Sequence, residues 1–173
     1  MKKLRAVLGV ILVLVIGGAL IARTLVFPLK YKAEIQKYAK EYNVEPELIA
    51  AVIHVRSAFA PKEYEIGKEC GPMSLQDKSA QFIAKEMGLK EFKAENLADP
   101  DLNIKMGTWF MAKSYRDKNI ESLVEKLGGM NWQDAAGNKK QEEKKFWEDY
   151  YKQYFTKKIE SRMKIYKLLY PTL

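Results

Sequence analysis

Seventeen consecutive residues near the start of the chain, 6–22, carry no charged side chain, and Lys2, Lys3 and Arg5 stand directly before them. As a helix they run roughly 25 Å. Leu25, Val26 and Phe27 extend the stretch to about the hydrocarbon thickness of a bilayer. A transmembrane anchor fits this pattern. A cleaved secretory signal is its rival, with a small-residue site offered by Gly17, Gly18 and Ala19, although the apolar run is long for one. In either case the basic residues ahead of the helix favour a cytoplasmic N-terminus and an exported remainder. The expected organisation is an anchor over residues 1–27 and one domain over residues 28–173.

Beyond the anchor the composition is that of an ordinary globular domain. The chain has 173 residues, 47% hydrophobic and 30% charged, enough for one sizeable core and against wholesale disorder. Setting aside Lys2, Lys3 and Arg5 leaves 27 basic residues against 22 acidic ones, spread along the chain. That surplus argues against nucleic acid as a partner of an exported domain and suits an anionic wall polymer or lipid headgroups better. Cys70 is the only cysteine, so no internal disulfide can form and the fold must rest on its core.

The periodicity after Pro28 is helical. Ile35, Tyr38, Ala39 and Tyr42 recur on one face of a first helix. Pro46 is placed for the first position of the next, where Ile49, Val52, Ile53 and Arg56 share a stripe. Arg56 is the odd member of that stripe. Pro61 and Gly67 to Gly71 bracket a loop or small β-hairpin. Ala80, Ile83, Ala84 and Met87 mark a third helix that Gly88 closes. Asp99 and Pro100 predict an N-cap and first turn, opening a fourth helix through Trp109 and Phe110. A short helix is expected over residues 120–127, ending at Gly128 and Gly129. A polar surface excursion then covers residues 130–145. A last helix carries Phe146, Trp147, Tyr150, Tyr151, Tyr154, Ile159, Met163 and Tyr166, expected mainly as core. The fold class read from this pattern is mainly α.

Four segments carry a family resemblance. Residues 27–31 (FPLKY), 44–53 (VEPELIAAVI), 97–110 (LADPDLNIKMGTWF) and 164–171 (KIYKLLYP) are similar, in order and spacing, to the soluble (SLT-type) lytic transglycosylase domain, a relative of goose-type lysozyme. The third resembles that family's DPxxNIxxGxxY stretch. The resemblance implies a lysozyme-like helical domain that acts on peptidoglycan. It also implies one catalytic glutamic acid at the end of the second helix. That acid protonates the glycosidic oxygen and then acts as base while the sugar's 6-hydroxyl attacks, leaving a 1,6-anhydro product.

The sequence departs from the family where that chemistry resides. The family motif ES.F reads Arg56-Ser57-Ala58-Phe59, and a guanidinium serves neither as acid nor as base. The motif GLMQ reads Gly71-Pro72-Met73-Ser74, so the sugar-holding glutamine becomes Ser74, with Gln76 two residues on. The motif AYNAG, counted without gaps from Asn119, falls on Lys126-Leu127-Gly128-Gly129-Met130, which puts Leu127 and Gly128 at its tyrosine and asparagine. Ser57, Met73, Ser74, Gln76, Leu127 and Gly128 are therefore the substrate-binding positions that the resemblance implies. An arginine also suits the negative end of a helix dipole better than a carboxylate does, by about 0.3–1 kcal/mol.

Other candidates carry less. Glu63, Glu65 and Glu69 crowd the loop after Pro61, where one could replace the missing acid, but a solvated loop offers nothing to raise a carboxyl pKa. His54 has no second histidine with which to bind a metal, and helical spacing sets it on another face from Arg56. Cys70 reads as a small core filler. Residues 138–145 form a lysine-rich patch, ordinarily solvated. Nothing predicts a cofactor or a metal. The expectation is a single-pass, extracytoplasmic, transglycosylase-like domain without cleaving activity, which binds peptidoglycan glycan strands or a cell-envelope protein. The alternatives are an active enzyme using Glu65 or Glu69, and a pure protein-interaction module.

Overall fold

The computed structural model describes residues 2–128 and 141–173. Helix α1 (Lys2–Ile21) continues through a π-helical turn (Ala22–Val26). Together they give an apolar span over Lys3–Val26, 24 residues of mean hydropathy 2.6, none of it buried against the rest of the chain. It is long and apolar enough to cross a membrane. A signal sequence meets the same physical test.

The domain is built from α2 (Lys32–Tyr42), α3 (Pro46–Ser57), α4 (Asp77–Glu86), α5 (Pro100–Ser114), α6 (Ile120–Gly128) and α7 (Gln141–Leu169), with 3-10 turns at Ala94–Ala98 and Arg116–Lys118. Among the described residues there is no strand, and the architecture is mainly α and lysozyme-like. The loop after Pro61 makes one antiparallel bridge, Cys70 with Leu75, so the small hairpin considered for it is reduced to a single turn.

Local chemistry sets the helix ends. Pro46 and Pro100 occupy first turns, and the Asp99 carboxylate accepts the Asp101 N–H as N-cap. Helix α4 ends in paired bonds from Gly88 N–H to the Lys85 carbonyl and from Leu89 N–H to the Ala84 carbonyl, a Schellman closure. Ile35, Tyr38 and Ala39 of α2 are buried as the spacing predicts.

Helix α3 differs from its sequence reading. Leu48 through Ile53 are all buried, six in succession, so apolar neighbours surround this helix and it does not float on one stripe. It packs chiefly on α7, while α2 lies on α5 and α6 on α7. Fully burying a large aliphatic side chain contributes about 1.5–3 kcal/mol, which makes α3 the axis of the core.

The aromatic helix departs further. Ile159 and Tyr166 are buried, but Phe146, Trp147, Tyr150 and Tyr154 are exposed. The expectation of a core helix therefore holds for the second half of α7 only. Length explains it: 29 residues span about 43 Å, whereas the 12 residues of α3 span about 18 Å and the 9 of α6 about 14 Å, too short together to cover all of α7. Residues 141–145, expected in a polar excursion, already belong to α7. Residues 130–140 of that excursion, and Gly129, lie outside the described residues.

Candidate functional site

The last turn of α3 delivers Arg56 and Ser57 to a reversal of the chain. Ala58 and Phe59 both adopt left-handed backbone angles, φ 50° and 58°, a conformation that costs non-glycine residues of order 1 kcal/mol or more each. Phe59 is fully buried in return, with its ring 6.0 Å from Tyr166, 6.4 Å from Tyr31 and 6.5 Å from His54 between centroids. Ser57 Oγ turns inward and donates to the Ile53 carbonyl at 3.1 Å.

The loop facing this helix end is fixed from α5. Asn103 is fully buried: its Oδ1 accepts the Met73 N–H at 2.8 Å, and its Nδ2 donates to the carbonyls of Cys70 (3.0 Å) and Leu97 (3.1 Å). Gly71 passes so close that a Cβ there would lie 2.2 Å from Asn103 Nδ2, and its φ of +73° suits glycine besides. One turn along α5, a Cβ on Gly107 would lie 2.6 Å from Met73 Cγ. The asparagine and the glycine of the 97–110 motif are thus the fasteners of the loop that carries Met73 and Ser74.

Arg56 joins these two halves. Its Nε donates to the Met73 carbonyl at 3.1 Å, and its Nη2 to the Ser74 carbonyl at 2.6 Å and to Glu69 Oε1 at 3.3 Å. Ser74 Oγ donates back to the Arg56 carbonyl at 3.2 Å. Only 18% of the Arg56 side chain is exposed. Burial pulls its pKa below the usual guanidinium value, Glu69 acts in the opposite direction, and the group stays a cation throughout. Three donor contacts to two carbonyls and a carboxylate make it a structural clamp.

Around the clamp lies a cleft of about 370 Å³ lined by His54, Arg56, Ser57, Lys62, Glu69, Ser74, Lys158 and Arg162, among others. Among the described residues its charged side chains are four cations and one carboxylate. His54 belongs to this wall despite the helical offset from Arg56. Its Nδ1 is 2.8 Å from Tyr166 Oη, and that hydroxyl donates to the Pro28 carbonyl at 3.0 Å. A phenol has one proton, so the histidine holds its own on Nδ1. Burial first, then Arg162 and Lys158, push the His54 pKa below its ordinary value.

The cleft gathers Arg56, Ser57 and Ser74 among the positions singled out in the sequence, and it gathers Glu69 among the carboxylates. Met73 contributes its carbonyl to Arg56, while its side chain is buried over Gly107. Gln76 is the half-buried N-cap residue of α4 and Leu127 packs on the core, both outside the cleft lining, and Gly128 is the last residue of α6. Glu65 is exposed and ion-paired with Lys68, which holds its carboxyl below the usual range. Glu63 lines a separate hollow with Tyr64 and Pro72. Among the described residues no group of three or more His, Cys, Asp or Glu side chains gathers to hold a metal.

Lys158 and Arg162 were not legible as site residues, since only the docking of α7 on α3 brings them there. Their i, i+4 spacing among aromatic residues was the one available signal.

Comparison with known proteins agrees with this architecture. The transglycosylase SLT domain matches residues 33–151. Three curated proteins named membrane-bound lytic murein transglycosylase C, from Actinobacillus pleuropneumoniae serotypes 5b (strain L20), 3 (strain JL03) and 7 (strain AP76), are each 31% identical over 98 residues. The match covers 55% of this chain and 26% of each relative, so the chain spans about a quarter of the length of the curated relatives it matches. A family match over well over half of the chain, on a helical fold whose motif residues fasten the cleft loop, shows that the chain belongs to the transglycosylase SLT domain family.

Proposed function

We propose that the chain is a membrane-tethered SLT domain that binds peptidoglycan glycan strands without cleaving them. Residues 1–27 serve as the anchor and 28–173 as the domain on the outer side of the cytoplasmic membrane. The observation that carries this reading is the Arg56 clamp. The position that supplies the proton in the family is occupied by a permanent cation, already committed to the Met73 and Ser74 carbonyls and to Glu69. A reaction that needs one group to give and then take a proton has no such group there. The murein in the relatives' names supports a glycan as the ligand. The basic residues ahead of α1 support the orientation.

Incubating the purified protein with peptidoglycan and analysing the products by mass spectrometry tests the reading. The expected result is no anhydro-muropeptide above the buffer control, with the protein retained in the insoluble pellet. Retention in the supernatant would favour a module that binds only proteins of the wall-building machinery.

One observation favours a second reading. Among the described residues Glu69 is the one carboxylate lining the cleft, 3.3 Å from Arg56. An active enzyme using Glu69 as its acid would release anhydro-muropeptides, and Glu69→Gln would abolish them.

A further inference from the structure

The positive charge of the cleft exceeds what the Arg56 clamp requires. Lys62 comes from the loop after α3, and Lys158 and Arg162 come from successive turns of α7; with Arg56 they set four cations against Glu69 among the described residues. The ion pairs among the described residues use Arg56 and Glu69 but none of Lys62, Lys158 and Arg162. Arg162 Nε is shut away from solvent without a hydrogen-bond partner among the described residues, and an unsatisfied buried donor calls for an explanation. Like charges collected in a concave site raise the local potential, and an anion relieves both the repulsion and the orphaned donor.

The cations arrive from different directions, on α3, on the loop and on α7, which suits a tetrahedral oxyanion better than a planar carboxylate satisfied by one fork. The cleft, about 370 Å³, is several times larger than a bare phosphate and leaves room for the groups that flank it. One turn before Lys158 on α7, Tyr154 is exposed and stacks on Tyr150 at 6.4 Å between ring centroids. Lys158 Nζ stands 5.3 Å from the Tyr154 ring centroid. Ring faces next to a charged cleft fit an extended strand of sugars or polyols, and a concave site between three segments fits a chain better than a flat bilayer.

We propose that this cleft binds a phosphate group of an anionic sugar- or polyol-phosphate polymer, with Lys62, Lys158 and Arg162 as its ligands and Arg56 as a fixed background charge. The proposal deepens the glycan-binding reading and rests on it for the polymer, though not for the phosphate. Binding is therefore ionic-strength dependent and lost on neutral strands.

The test uses the full chain in nanodiscs of uncharged phosphatidylcholine, titrated with glycerol 3-phosphate and with glycerol by calorimetry. Glycerol phosphate should bind and glycerol should not. Affinity should fall about tenfold in Arg162→Gln, the loss of one charge-assisted hydrogen bond. Lys62→Gln, in an exposed loop that the core does not need, should weaken binding without moving the thermal midpoint, which separates a lost ligand from a lost fold. Absence of binding, or equal binding by wild type and both variants, would overturn the proposal. A second arm replaces part of the lipid with phosphatidylglycerol: glycerol 3-phosphate binding that is lost only there would assign the cleft to a lipid headgroup and overturn the polymer. A third arm compares sedimentation with wall material before and after removal of phosphate polymers. Equal, Arg162-independent retention on both would leave the glycan-binding reading standing and overturn this one. Arg162-dependent glycerol phosphate binding without retention on stripped wall would do the reverse.

Discussion

Arg56 and Ser74 hold each other by reciprocal bonds: Arg56 Nη2 donates to the Ser74 carbonyl at 2.6 Å, and Ser74 Oγ donates to the Arg56 carbonyl at 3.2 Å. Two positions that the family resemblance matches to sugar-working residues are here each other's partners. Ser74 sits at φ +48°, in the left-handed region, and the pair keeps the loop in that shape. On the proposed non-cleaving function, reverting one position alone is not expected to recreate a catalytic site.

Arg56→Glu is accordingly expected to leave the protein inactive. It places a carboxylate beside Glu69 and the Met73 and Ser74 carbonyls and removes the guanidinium that bonds to all three. Breaking a mostly buried ion pair in this way costs about 3 kcal/mol. Urea unfolding followed by circular dichroism checks the stability, and muropeptide mass spectrometry checks the activity. Full family-like cleavage by this single variant would refute a non-cleaving role for the site.

Asn103 satisfies three backbone groups from one side chain. Asn103→Ala strands the Met73 N–H and the Cys70 and Leu97 carbonyls in the core, at a cost of about 3 kcal/mol or more. Asn103→Asp keeps the acceptor but loses the donor. Equilibrium unfolding should rank the stabilities wild type, then Asp or Ala well below it, with amide exchange at Met73 fastest in Asn103→Ala.

Gly107 and Met73 should be energetically coupled. Gly107→Ala forces a Cβ to 2.6 Å from Met73 Cγ and costs about 1–3 kcal/mol through overpacking. Met73→Ala leaves a cavity and costs about 2–5 kcal/mol. The double variant should be less destabilised than the sum of the two, which a double-mutant cycle of unfolding free energies measures directly.

His54 should leave a signature in the pH dependence of stability. Burial and the nearby Arg162 and Lys158 lower its pKa in the folded chain below the ordinary 6.5. The unfolded state therefore takes up a proton first as pH falls, and stability declines from about pH 6.5 downward until the folded form is protonated too. Thermal midpoints between pH 8 and pH 5 should fall more steeply for wild type than for His54→Gln.

Tyr170→Phe removes a hydroxyl that stands 2.9 Å from the Arg23 carbonyl and 2.8 Å from the Phe27 carbonyl. The global cost should be about 1 kcal/mol. The sharper readout is hydrogen exchange and proteolysis confined to residues 23–28, both expected to rise.

Much of the helical frame was readable from residue spacing because Asp99, Pro100, Pro46 and Gly88 act within one turn of where they sit. The buried row Ile35, Tyr38 and Ala39 follows from a period, and a period is visible in one sequence. Burial on every side of α3 was less visible, because a six-residue apolar run reads the same whether one neighbour covers it or three do. The exposed aromatics of α7 were misjudged for a related reason: composition says what a side chain prefers and leaves open whether a neighbouring helix is long enough to cover it. The site divided along the same line. Arg56, Ser57 and Ser74 come from segments whose motifs identify them, whereas Lys158 and Arg162 reach the cleft only through tertiary packing roughly a hundred positions away in sequence.

Phe27 and Pro28 are tied down as firmly as any core residue, the first to Tyr170 and the second to Tyr166, and Arg23 lies across the Tyr170 ring at 4.6 Å. Only residues 27–31 separate the apolar span from α2. With the anchor in a bilayer, such a join leaves no slack for the domain to swing on. The cleft then rides at a set height above the lipid, like the jaw of a gauge, and its reach is set by that height.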